Sequence, residues 1–209
     1  MEQLINKLKL ELQKALPGED AQYRMAPLHR KNLVEEALKA GQYRPSAVML
    51  LFCLNSNNEV FIPLIERMAY NGVHSAQISL PGGKFEQGDD NLQNTAIREC
   101  FEEIGIKDIE VIGQLTQLYI PVSNFLVQPF IGVCKIKDPV MVNQEREVKS
   151  ILRLKIDTLL DSGTVKAGSI AMPGNLNIKA PYFELEDNKI WGATAMILSE
   201  LKEILASIF

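Results

Sequence analysis

The stretch "AIRECFEEIGI", residues 96–106, crowds Glu99, Glu102 and Glu103 into one turn of a predicted helix, and its reading decides the rest of the chain. Leu92, Ala96, Ile97, Cys100, Phe101 and Ile104 recur at helical spacing and are expected to face the core, which leaves the three glutamates together at the stripe's edge. Gly105 is suited to a left-handed C-terminal cap. Immediately upstream, in "LPGGKFEQGDD" (80–90), Gly82 and Gly83 close a strand, and Asp89 or Asp90 is expected to cap a helix over about residues 90 to 104. Like charges three or four residues apart destabilise a helix by roughly 0.2–0.5 kcal/mol per pair. An acidic edge is therefore tolerable on a solvated face, which is the ordinary reading of a charge run. A divalent cation reverses the sign, because hard cations take oxygen ligands and use a few carboxylates while water and phosphate fill the other positions. The placement directly after a strand, a double-glycine turn and a cap favours that second reading, with Arg98 set to neutralise and orient the acids.

Further out, "AVMLLFCL", "EVFIPLIER", "QISL", "IEVIGQLTQL", "LVQPFIGVCKI", "EVKSILRL" and "YFELE" read as strands. A last helix follows Trp191, with Ile197, Leu201, Ile204, Leu205 and Ile208 on one face. Strands before and after a central helix predict an α/β fold, a mixed sheet packed against helices. At the N-terminus, a helix is expected up to Pro17 and Gly18, then a loop, then a short helix over 33–40. This defines an N-terminal helical extension over 1–44 ahead of a single domain over 45–209.

Composition narrows the function. The 209 residues carry 22 Lys and Arg against 26 Asp and Glu, and a net charge of −4 argues against a nucleic-acid scaffold. Cys53, Cys100 and Cys134 are odd in number and far apart, so buried free thiols are expected rather than disulfides or a metal site. No segment reads as a signal peptide or a bilayer span, which predicts a cytoplasmic protein without a membrane partner. "PGGK" lacks the rest of a phosphate loop, and "DDNLQ" lacks the pattern of a calcium hand.

The run "GGKFEQGDDNLQNTAIRECFEEIGI" (82–106) resembles the Nudix box, and Arg98, Glu99, Cys100, Glu102, Glu103, Gly105 and Ile106 match its second half in order. Asp89 stands where the general box has glutamate, and the loop is one residue longer. "LPGGK", "TAIRE" and that longer loop resemble the coenzyme A pyrophosphatases within the family. Their upstream signature is kept at Arg67, Leu80, Pro81, Gly82 and Gly83, whereas Met68, Gly72 and Ala76 depart from it. "PVSNFLVQPFIGV", "EREV" and "YFELEDNKIWGATAMI" extend the likeness over about residues 45 to 205.

The resemblance implies a Nudix-like α/β/α sandwich and metal-dependent hydrolysis of a nucleoside diphosphate linked to another moiety. The leading substrate is coenzyme A or acyl-CoA, giving 3',5'-ADP and a phosphopantetheine. An ADP-ribose or nucleotide-sugar pyrophosphatase and a non-catalytic ligand-binding module stand as alternatives, the module being disfavoured by the three retained glutamates. The implied metal is Mg2+ or Mn2+, with Glu99 and Glu103 as principal ligands, Glu102 as a further or water-bridged one, and Gly82 offering its carbonyl. Arg98 orients the glutamates. Glu145 and Glu147 are candidates for the general base, against a reading as plain loop residues. Arg67, His74 and Lys84 are candidates for substrate binding; a structural histidine and a solvated lysine are the plainer readings of the last two. Trp191 and the aromatics of "PYF" read as core. A homodimer is left open.

Overall fold

The computed structural model describes residues 1–27, 39, 41–68, 77–172 and 176–209. The central strand β1 (Arg44–Leu54) explains the layering. Its apolar run does not alternate with polar residues, because both of its faces are covered. Ala47, Met49, Leu51 and Cys53 point to one side, where they pack with Phe61, Ile65, Ala96, Cys100 and Ile104. Leu50 and Phe52 point to the other, with Ile62, Leu64, Leu80, Ile131, Ile197 and Leu201. Helix α3 (Leu92–Ile104) supplies the first cover and α5 (Gly192–Ala206) the second, so the chain is an α/β/α sandwich.

The sheet between them is mixed. β1 pairs antiparallel with β2 (Val60–Arg67) and parallel with β7 (Phe125–Lys137). β3 (Ile78–Ser79) and β8 (Val148–Lys155) add to β2. β5 (Ile109–Gln114) and β6 (Leu118–Ile120) add to β7. A second sheet holds β9 (Val165–Met172), β10 (Leu176–Leu185) and β11 (Asn188–Trp191). The short helix α4 (Ile156–Leu160) follows β8.

Several expectations need correction. Helix α1 (Glu2–Glu11) stops well before Pro17, and the presumed loop after it contains a helix α2 (Gly18–Tyr23). The reason lies in tertiary bonding: Glu200 Oε1 accepts from Gly18 N at 3.2 Å, from Thr116 N at 3.2 Å and from Thr116 Oγ1 at 2.7 Å. Gln22 Nε2 donates to Glu200 Oε2 at 2.8 Å. The helix expected over 33–40 lies outside the described residues. The double-glycine turn is itself a strand, β4 (Gly82–Lys84), paired with Ser46–Val48 of β1. Asn91, not Asp89 or Asp90, caps α3, its side chain accepting from Asn94 N at 2.9 Å. Phe101 leaves the core stripe and is 52% exposed. Gly105 ends α3 in the left-handed region at φ 76°. Cys53, Cys100 and Cys134 are buried free thiols. Among the described residues no helix is long and apolar enough to cross a membrane.

Candidate active site

The start of β4 lies on β1 so closely that a Cβ on Gly82 would sit 2.3 Å from the Ala47 carbonyl oxygen, and Gly82 has φ 155°. Only glycine fits both conditions. This close seating brings the turn under the acidic edge of α3. Glu103, 2% exposed, accepts from Gly82 N through Oε2 at 2.8 Å. Glu99 lies against the next residue, its Oε1 only 2.4 Å from where a Gly83 Cβ would stand. Two carboxylates from one helix face thus converge on one turn.

Two arginines hold them, in different ways. Arg98 forms a two-pronged pair with Asp89, Nε to Oδ1 at 2.9 Å and Nη2 to Oδ2 at 3.0 Å. Its Nη1 donates to Glu99 Oε1 and to Glu102 Oε2, both at 2.9 Å, and Nη2 also reaches the Lys84 carbonyl at 3.1 Å. Asp89 Oδ2 accepts further from Glu86 N at 3.0 Å and Thr95 Oγ1 at 2.9 Å. The Arg98 guanidinium, with these bonds, holds the Asp89 carboxyl well below the usual carboxylate range. Arg67 comes from the end of β2: Nη1 stands 3.1 Å from Glu103 Oε1, Nη2 donates to the Gly82 carbonyl at 2.9 Å, and Nε donates to Ser79 Oγ at 3.2 Å.

Burial opposes the charge on both acids. It pushes Glu103 up to about 7 against the pull of Arg67 and the Gly82 N–H, with Glu99 and Glu147 adding to the rise. Burial likewise raises Glu99, opposed by Arg98. Among the described residues Glu103 Oε1 has no hydrogen-bond partner and has only its ion pair with Arg67. A buried carboxylate short of partners is what a hard cation relieves. Among the described residues no group of three or more His, Cys, Asp or Glu side chains is arranged to hold a metal ion. The donor set that fits is the open kind: Glu99, Glu103 and the Gly82 carbonyl, with the remaining positions for water and substrate oxygen. Glu102 is turned toward Arg98 at the solvent edge.

These groups line a cavity of about 730 Å³, together with Lys84 and Glu147. Its lining also includes the apolar residues Ile120, Pro121, Val122, Phe125, Trp191 and Ala193. Glu147 is brought to the acids, whereas Glu145 is exposed in the same loop and does not line the cavity. Two backbone bonds tie that loop to α3: Val142 N to the Ile104 carbonyl at 3.1 Å and Gln144 N to the Glu103 carbonyl at 3.4 Å. Lys84 is largely solvated and pairs with Glu86 at 3.2 Å. His74 lies outside the described residues. Trp191 corrects a core reading, since it is half-buried on the cavity wall, while Tyr182 and Phe183 are core. Asp89 was legible as an acid but not as the partner of Arg98; its place in the box loop was the only signal.

The fold and site are those of a mixed α/β/α sandwich that presents buried carboxylates over a glycine turn. The NUDIX domain family model matches residues 43–163, and the chain belongs to the Nudix family as a diphosphatase-type hydrolase. It is 25% identical over 183 residues to the human mitochondrial coenzyme A diphosphatase NUDT8, covering 86% of this chain and 78% of that protein. Nudix hydrolase 15, mitochondrial, of Arabidopsis thaliana is 28% identical over 75% of this chain and 58% of its own length. Among solved structures, the Nudix hydrolase RenU of M. smegmatis aligns with a TM-score of 0.49 at 14% identity, over 79% of this chain and 88% of that one.

Proposed function

We propose that the chain hydrolyses the diphosphate of coenzyme A or acyl-CoA with Mg2+ or Mn2+, releasing 3',5'-ADP and a phosphopantetheine. The observation that carries this reading is the alignment with a coenzyme A diphosphatase along most of the chain, through the segment holding "LPGGK" and "TAIRE". The cavity supports it chemically, since its lining combines acids and cations suited to a diphosphate with apolar residues suited to a pantetheine arm.

When bound, the cation supplies charge neutralisation to the diphosphate and polarises the attacking water. Glu99 and Glu103 would hold it with the Gly82 carbonyl, and Arg98 keeps Glu99 in place from its fixed grip on Asp89. Glu147, the cavity-lining acid of the later loop, accepts the proton of the attacking water. Lys84 faces the negative charge of the substrate from the turn.

The test is to incubate the protein with coenzyme A, acetyl-CoA, ADP-ribose and a nucleotide sugar in Mg2+ or Mn2+ and to identify products by mass. The highest kcat/KM is expected for a coenzyme A compound, cut to 3',5'-ADP. Faster turnover of ADP-ribose or the nucleotide sugar replaces the reading with that second substrate class. Tight binding without hydrolysis replaces it with a binding module.

A further inference from the structure

The two arginines differ in how firmly they are held. Arg98 is clamped by a nearly buried aspartate and makes five contacts of 2.9–3.1 Å. Among the described residues Arg67 has no such clamp of its own: its guanidinium spends Nη1 and Nη2 on Glu103 and on the Gly82 carbonyl, two groups of the candidate cation set. Its remaining bond among the described residues, to Ser79 Oγ at 3.2 Å, is a neutral one. The Arg67 backbone is fixed separately, its N–H donating to the Gln77 carbonyl at 3.0 Å and its residue paired with Val148 of β8. The long side chain is therefore free to exchange partners while the strand stays where it is. Its side chain is 22% exposed and lines the cavity, so it has space on the substrate side.

We propose that Arg67 is a displaceable counter-ion, which neutralises Glu103 and caps the Gly82 carbonyl until a divalent cation takes both, and which then turns its guanidinium to the diphosphate of the substrate. This rests on the metal-dependent reading above. The physical reason is competition: a guanidinium and a divalent cation repel, and both are drawn to Glu103 Oε1 and the same carbonyl oxygen. A vacant guanidinium beside a diphosphate is in turn well matched to bidentate oxygen recognition. Arg67 thereby lowers the affinity for metal alone and raises the affinity for metal and substrate together.

The prediction runs opposite to that of a merely structural ion pair. Arg67→Gln should bind Mn2+ more tightly than wild type in the absence of substrate, by about tenfold if the arginine leaves the site open roughly a tenth of the time. Free Mn2+ is followed by its EPR signal during titration. The same variant should raise the KM for coenzyme A more than it lowers kcat. Its metal-free unfolding temperature should drop, because Glu103 loses its counter-ion, and saturating Mn2+ should restore the wild-type value. Arg67→Lys, which keeps the charge but cannot fork across both oxygens, should show an intermediate Mn2+ affinity. Unchanged or weaker Mn2+ binding in either folded variant overturns the proposal, as does a loss of stability that Mn2+ does not restore. Absence of Mn2+ binding in wild type overturns it too, and with it the metal-dependent reading. A substrate screen won by ADP-ribose alters the substrate alone.

Discussion

Replacing Gly83 with alanine would move one carboxylate by a calculable amount. A Cβ on Gly83 stands 2.4 Å from Glu99 Oε1, 2.7 Å from its carboxyl carbon and 2.9 Å from Oε2. Ordinary contact begins near 3.4 Å, so the carboxylate must withdraw by about 1 Å. A misplacement of about 1 Å at a reacting centre lowers a rate by about 100-fold, which is the expected loss in kcat. The fold should hardly notice. Gly83 is not among the glycines with positive φ, the clashing atoms end a flexible side chain, and the unfolded chain loses glycine's freedom. Unfolding free energy should stay within about 1 kcal/mol of wild type. Gly82→Ala is the contrast, because its Cβ meets the Ala47 carbonyl at 2.3 Å and the Val48 Cα at 2.6 Å, at φ 155°. That change should cost at least about 2 kcal/mol of stability. Steady-state turnover, Mn2+ titration and thermal unfolding on one preparation decide the matter. Undiminished kcat in Gly83→Ala would refute a positional role for Glu99, and a stability loss equal to that of Gly82→Ala would trace the effect to the backbone instead.

Glu103→Gln should lower kcat by at least about 100-fold and weaken Mn2+ binding. It should also remove a pH effect on the metal-free protein: burial raises Glu103 from 4.5 to about 7, so its stabilising contribution is full below pH 4.5 and is lost as pH rises toward 7, as thermal unfolding across that range would record. Asp89→Asn should cost about 3 kcal/mol near neutral pH, because Arg98 loses a nearly buried partner. The folded-state pKa of Asp89 is depressed, so that difference from wild type should shrink as pH falls below the ordinary aspartate range, as chemical unfolding at several pH values would measure. Glu147→Gln should reduce kcat with nearly unchanged Mn2+ binding, since a base touches the water rather than the cation; parallel loss of both would place Glu147 among the ligands.

Much of the site was legible because it is local. Arg98, Glu99, Glu102 and Glu103 share one edge of α3, and helical periodicity alone puts them there. The layered α/β architecture was legible for a similar reason, since the unbroken apolar run of β1 announces a strand covered on both faces. What escaped depends on partners distant in sequence or on competition between neighbours. Asp89 and Asn91 are both good caps, and the choice went to Asn91 because Asp89 is claimed by Arg98, nine residues on. β4 was read as a turn because its pairing with β1 uses backbone alone. Helix α2 is too short to carry a period and owes its bonds to Thr116 and Glu200.

The N-terminal residues illustrate how a segment without a motif still shapes a site. Ile5, Leu8 and Met25 join the same core as Ile197, Leu201 and Leu205 of α5, so removing them would uncover apolar surface on the helix that roofs that face. Glu200, fully buried on α5, takes donors from Gly18 and Gln22 on one side and from Thr116 on the other, and Ser199 Oγ donates to the Ala21 carbonyl at 2.7 Å. A buried carboxylate satisfied by several donors tolerates little displacement, because any lost donor leaves charge unpaired in a poorly solvating interior. The clasp therefore fixes α2 and the β5–β6 connection against α5 together. Two of these three parts lead straight to the cavity: Pro27 lines it four residues after the end of α2, and Ala193, Thr194 and Ile197 line it from the first turns of α5. The apolar lining of the cavity is thus set by packing among residues far apart in the chain. The glutamates of the acidic part come from a single helix, which is why they announce themselves in eleven residues and the apolar lining only in the fold.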